Sequence, residues 1–143
     1  MGTGAALAPR RERTSMTRIS APVRLARVFY ALLSSVFVAC VLVQVFFAGV
    51  GAFGADWDRH LNFVHLFGAL PLLMIPVAFA GRLSWGSRLL PIGLVVLIGV
   101  QYATANSAVP AAALHPVNAL LILWVGLLGA RQAWSTVAGR SKG

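Results

Sequence analysis

Four apolar segments separated by only a few polar residues take up most of this 143-residue chain. No other feature limits its fold as severely. They run approximately over 28–53, 61–80, 89–109 and 112–130. At roughly 1.5 Å per helical residue, each is long enough to cross about 30 Å of hydrocarbon. Hydrocarbon offers no water to an unpaired N–H or C=O, so a spanning segment of this kind has to be helical. The composition agrees: 59% hydrophobic residues, 10% charged residues and a mean hydropathy of +0.82 are too apolar for a soluble domain of this size. The expected fold is all-α and integral to the membrane. Short connections make neighbouring helices antiparallel, giving an up-down-up-down four-helix transmembrane bundle.

The net charge of +9 raises the question of nucleic acid, but its distribution points elsewhere. Arg10, Arg11, Arg13, Arg18, Arg24 and Arg27 precede the first span, Arg82 and Arg88 lie in or beside the second loop, and Arg131, Arg140 and Lys142 follow the last. Arg59 alone falls on the other side. This asymmetry places the N- and C-termini and the 81–88 loop in the cytoplasm, and a bacterial inner membrane is the expected location. Residues 1–27 read as a basic, disordered tail, 28–130 as the membrane domain and 131–143 as a second basic tail. The tails should touch anionic lipid, and no nucleic-acid partner is expected. Met1 and Met16 both serve as starts on this reading, since the spans follow either. Arg10–Arg11 is not followed by the apolar core of a twin-arginine signal. Cys40, the lone cysteine, lies mid-span and has no intramolecular disulfide partner.

Polar side chains inside spans are costly and mark candidate sites. With the N-terminus inside, Gln44, Asn62, His65, Gln101, His115 and Asn118 all fall towards the outer ends of their segments. The inner halves read as almost purely apolar. That one-sidedness suits a site opening to the outer face better than a permeation path.

His65 and His115 come at similar depth on the second and fourth helices, which run parallel and diagonal in a four-helix ring. Adjacent axes about 8–10 Å apart set that diagonal near 13 Å, a gap two imidazoles and one metal between them can fill. Haem b is therefore the expected cofactor, with His65 and His115 as iron ligands. Gly68, one turn from His65, would leave room for a flat macrocycle. Leu61, Leu72 and Leu120 would wall it, and Arg59 and His60 would pair with its carboxylates. Asn62 and Asn118 complete the candidate site. Each residue also has a plainer reading. His115 before Pro116 can cap a helix, His60 can be an interfacial side chain, and Gln44, Gln101 and Asn118 can bond helix to helix.

The run Asn62-Phe63-Val64-His65-Leu66-Phe67-Gly68 and the later His115 resemble one four-helix half of haem A synthase. That family carries Glu-x-x-His-Arg-x-x-Gly near the start of its second helix and a histidine at the start of its fourth. The resemblance implies haem ligation by His65 and His115. Asn62 stands where the family has glutamate and Leu66 where it has arginine, which argues against synthase activity.

The chain looks more like a group of small, uncharacterised four-helix bacterial membrane proteins. The shared phrases are Val43-Gln44-Val45-Phe46-Phe47-Ala48-Gly49 and His115-Pro116-Val117-Asn118-Ala119. Two functions follow as expectations. One is a b-type haem protein for electron transfer or haem handling. The other is a non-catalytic accessory or interaction protein, in a homodimer or a larger membrane complex. Whether the chain is an enzyme stays open.

Overall fold

The computed structural model describes residues 19–54, 56–105 and 107–139. Met16, the rest of the stretch expected to be disordered up to residue 18, and the last four residues lie outside the described residues. Among the described residues five helices form: α1 Ala21–Ala52, α2 Asp58–Phe67, α3 Leu70–Ala80, α4 Trp85–Ala105 and α5 Leu114–Val137, with a 3-10 turn at Ala111–Ala113 leading into α5. Because α2 and α3 together make one span, Asp58–Ala80, four helical units are long and apolar enough to cross a membrane.

The largest departure from the sequence boundaries is at the N-terminus of α1. The helix begins at Ala21, not near residue 28, with Pro22 in its first turn where a missing N–H removes no hydrogen bond. Its 32 residues reach about 48 Å, well beyond the thickness of hydrocarbon. Arg24 and Arg27 thus ride on the helix itself. α5 likewise continues past residue 130 to Val137.

The second span bends where Pro71 follows Gly68 and Ala69. Proline has no N–H and its ring crowds the carbonyl four residues earlier, so the ladder is interrupted there. Gly68 N donates to Val64 O at 2.8 Å, and Leu72 N reaches Ala69 O at 3.0 Å in the tighter i→i+3 pattern. The chain stays near-helical through the bend.

The helices form a ring. α1 packs on α5 and on α2–α3, and α4 joins α3 to α5. The second span and α5 are therefore the diagonal pair, as short loops require. The core runs along the axis through Tyr30, Phe37, Val41, Phe67, Met74, Leu94 and Ile122. Phe37, Phe67, Phe63 and Phe47 form a ladder between α1 and α2 with ring centroids 5.2–6.0 Å apart.

Close helix approach depends on one glycine above the others. A Cβ at Gly126 of α5 would stand 3.3 Å from Val38 and 3.4 Å from the Phe37 ring, both on α1. In lipid such backbone proximity supplies packing that the hydrophobic effect does not. Gly93 and Gly99 of α4 face open space with nothing within 4 Å.

The half of the bundle expected to be purely apolar also holds a polar network. Tyr30 Oη donates to Ser87 O at 3.2 Å, Ser87 Oγ donates to Gln132 Oε1 at 2.8 Å, and Ser34 Oγ donates to Tyr30 O at 2.8 Å. Each side chain bonds a neighbouring residue or backbone, so none is left bare in the interior.

Leucine at Gly126 should cost about 1–3 kcal/mol by forcing α1 and α5 apart, whereas leucine at Gly93 should be nearly neutral. Unfolding of the two variants in detergent checks this, and equal losses would remove Gly126 from its packing role.

Candidate functional site

The polar groups of α1, α2, α4 and α5 gather at the end of the bundle where α1 gives way to α2. The turn that brings them together is built on small residues. α1 closes at Phe53, and Gly54 takes the left-handed conformation, φ +94°, that glycine adopts without steric cost. The Trp57 ring then lies back on Gly51, where an added Cβ would be 2.7 Å from the indole. Trp57 in turn meets the His60 ring edge-on, with centroids 5.5 Å apart. Gly51 and Trp57 thereby set the position of His60.

A cleft of about 340 Å³ opens between the helices here, a volume at the lower end of ligand pockets. Its walls are apolar, with Leu61, Val64, Ile98 and Leu120 among them. Five polar side chains line it: Gln44 from α1, His60 from α2, Gln101 and Tyr102 from α4, and His115 from α5. Apolar walls with a few polar groups at one end are the usual make-up of a small-molecule site.

The hydrogen bonds fix the state of both imidazoles. Gln44 Nε2 donates to His60 O at 2.9 Å, and His60 Nδ1 lies 3.3 Å from Gln44 O. A carbonyl only accepts, so His60 carries its proton on Nδ1 in this contact. The Thr104 hydroxyl, buried on α4, lies 2.9 Å from Val100 O and 3.2 Å from Gln101 O. Its one proton is committed to these carbonyls. It must therefore accept from His115 Nδ1, 3.4 Å away. Both rings are tethered through Nδ1–H, and in the neutral form each Nε2 keeps a lone pair.

Asn118 sits just deeper and is buried. Its Nδ2 donates to Leu97 O at 2.8 Å and to Gln101 Oε1, joining α5 to α4. Gln44 Oε1 is buried, with no hydrogen-bond partner among the described residues.

The candidates expected from sequence divide accordingly. His60, Gly68 and His115 line the cleft, while Asn118 braces it from below. His65 does not line it. Its exposed ring lies 6.0 Å from that of Tyr102, tilted by 31°. Asn62 and Arg59 are exposed and do not line it either. Leu61 and Leu120 are wall residues, but Leu72 is not. An added Cβ at Gly68 would stand 2.7 Å from the Val64 carbonyl oxygen, with the Tyr102 hydroxyl 3.5 Å away, so the glycine serves chiefly the backbone bend. Tyr102 and Thr104 were not singled out by sequence, although they share the depth of Gln101. Among the described residues no group of three or more His, Cys, Asp or Glu side chains is placed to hold a metal ion.

Residues 44–108 match a family of unknown function (DUF6220). The match begins at Gln44 and takes in the second span and α4, so it includes Gln44, His60, His65, Gly68, Gln101 and Tyr102. It covers less than half of the chain and stops short of His115. No curated protein and no solved structure matches the chain.

Asn118→Ala and Gln101→Ala should each destabilise the bundle by about 1 kcal/mol. The double variant should lose less than the sum, because both remove one shared bond. Strict additivity in a double-mutant unfolding cycle would show the pair to be uncoupled.

Proposed function

We propose that this chain is a small haem b-binding protein of the cell membrane, with His115 and His60 as the iron ligands. One observation carries the reading. Two imidazoles from opposite sides of the ring line one apolar cleft, each tethered through Nδ1 to an oxygen acceptor, with a lone pair left on Nε2. Histidines that ligate metals characteristically hold their other ring nitrogen in this way, which sets the ring angle and raises ligand basicity.

The sequence expectation named His65 as the partner of His115. His60 takes that place here because His65 lies outside the cleft. Val64, Phe67, Ile98 and Leu120 would supply the apolar contacts, and Gly51 and Trp57 would keep His60 in position. When bound, haem supplies reversible one-electron redox chemistry. With His115 and His60 both holding the group, the chemistry it would supply is electron transfer or haem handling rather than oxygen activation.

The distribution of arginine sets the orientation within the same proposal. Every basic residue but Arg59 belongs to the tails, the helix ends near them or the α3–α4 turn. The cleft then opens towards the outer face and both termini lie in the cytoplasm of a bacterial cell.

The test is an absorption spectrum of detergent-purified protein, expressed with ample haem, before and after dithionite. Sharp reduced α and β bands are expected, and either His115→Ala or His60→Ala should abolish stoichiometric haem while His65→Ala retains it. Loss in His65→Ala with full retention in His60→Ala would restore the ligand pair read from sequence. A colourless protein that also fails to bind added hemin would overturn haem binding and leave the accessory-protein reading.

A further inference from the structure

The opposite end of the bundle has the reverse chemistry. Arg24 and Arg27 on α1, Arg82 and Arg88 at the α3–α4 turn, and Arg131 on α5 all sit there. The described carboxylates, Asp56 and Asp58, lie at the histidine end, where Asp56 Oδ1 accepts from Asp58 N. No described acidic side chain is in place to neutralise the arginines.

Three of them flank one turn. Arg27 Nε donates to Gly81 O at 2.9 Å, the single side-chain bond that any of the three makes among the described residues. The Arg88 guanidinium carbon lies 5.0 Å from the Phe79 ring centroid and 5.9 Å from that of Trp85. Its Nε is buried without a hydrogen-bond partner among the described residues. Aromatic rings attract the cation, but they do not supply the in-plane acceptors that a planar five-donor fork needs.

Arg82 adds an independent observation. α3 ends with Leu83 N donating to Ala78 O at 3.2 Å and Arg82 N to Phe79 O at 3.0 Å. This is the pair of bonds that closes a helix through a left-handed residue, a place glycine usually occupies. Here an arginine occupies it, with φ +48°. Glycine would fit that backbone with less strain. An arginine is thus kept on the turn against local conformational preference. Trp85 and Trp134 at the same end belong to the residue type that settles among lipid headgroups.

We propose that the α3–α4 turn is a binding site for the phosphate of an anionic phospholipid headgroup, gripped by Arg88 and Arg82 with Arg27 beside them. A phosphodiester supplies planar-fork acceptors and the missing negative charge together. The acyl chains would lie along the exposed apolar faces of Phe79 and Leu89.

The test uses the full chain, delipidated in a neutral detergent, with thermal unfolding read against added phosphatidylglycerol, phosphatidylcholine or inorganic phosphate. Phosphatidylglycerol should raise Tm, and phosphatidylcholine should not. Arg88→Gln should weaken the apparent affinity about fivefold, the share of one arginine at a lipid surface, and Arg131→Gln should not weaken it specifically. Arg88→Lys retains the charge but loses the fork, so it should recover only part of the response. Arg82→Gly should raise Tm without lipid and shrink the lipid-induced shift, opposite signs that a merely structural residue would not give. An equal shift with inorganic phosphate at matched concentration would overturn the lipid assignment in favour of a free anion. Equal shifts with both lipids, or a full response in Arg88→Gln, would overturn the site.

Discussion

Everything in this structure depends on the fate of backbone polar groups in a medium without water. An N–H or C=O in hydrocarbon has only the chain itself for a partner, so each span closes its own ladder and the fold reduces to helices and their order. Side chains add bonds to some of these carbonyls. Thr104 bonds back to the carbonyls of Val100 and Gln101 and Asn118 reaches the Leu97 carbonyl, all three carbonyls within α4, while Arg27 takes the Gly81 carbonyl just beyond the end of α3. Thr104 and Asn118 both serve the cleft. Thr104 steadies His115, and Asn118 occupies the Gln101 oxygen that would otherwise face inwards. The groups that add bonds to the backbone therefore also set the chemistry of the cavity.

Length and hydropathy made the spans legible in the sequence. The ring order followed from short loops, which leave α1 beside the second span and α5 across from it. The helix ends were less legible. α1 starts seven residues before the apolar run because long arginine side chains can lie along a helix while their charges reach water. A hydropathy boundary records where charge begins, not where the backbone stops being helical. Gly93 and Gly99 show a similar limit, since small residues permit close packing without specifying a neighbour.

Depth along each helix could be read from the sequence, but rotation about its axis could not. Taking about 100° per residue, the cleft-facing residues of α2, His60, Leu61, Val64, Phe67 and Gly68, occupy one arc. His65 falls about 40° beyond the edge of that arc, and Asn62 is nearly opposite. Ordinarily an amphipathic stripe reveals which way a helix turns. A span that meets lipid on one side and core on the other is apolar on both, so that signal is lost. The pairing of His60 with Gln44, sixteen residues apart across a tight turn, depends on the Gly51–Trp57 contact, which has no sequence pattern of its own.

The two ends of the bundle are complementary in what they lack. The histidine end holds two imidazoles tethered through Nδ1 and the buried Gln44 Oε1, which has no partner among the described residues. The arginine end holds donors, among them the buried Arg88 Nε, which has no acceptor among the described residues. Buried polar groups are nearly always paired, so an orphan at each end is informative. If helix packing were the sole purpose, apolar residues at these positions would cost the fold less. On the two proposals the ligands would also differ in kind: haem in an apolar cleft, and a phospholipid phosphate at an aromatic-rimmed turn. A bundle so small, with its polar groups drawn to opposite ends and its axis filled by Phe37, Phe67, Met74 and Leu94, keeps those two chemistries apart.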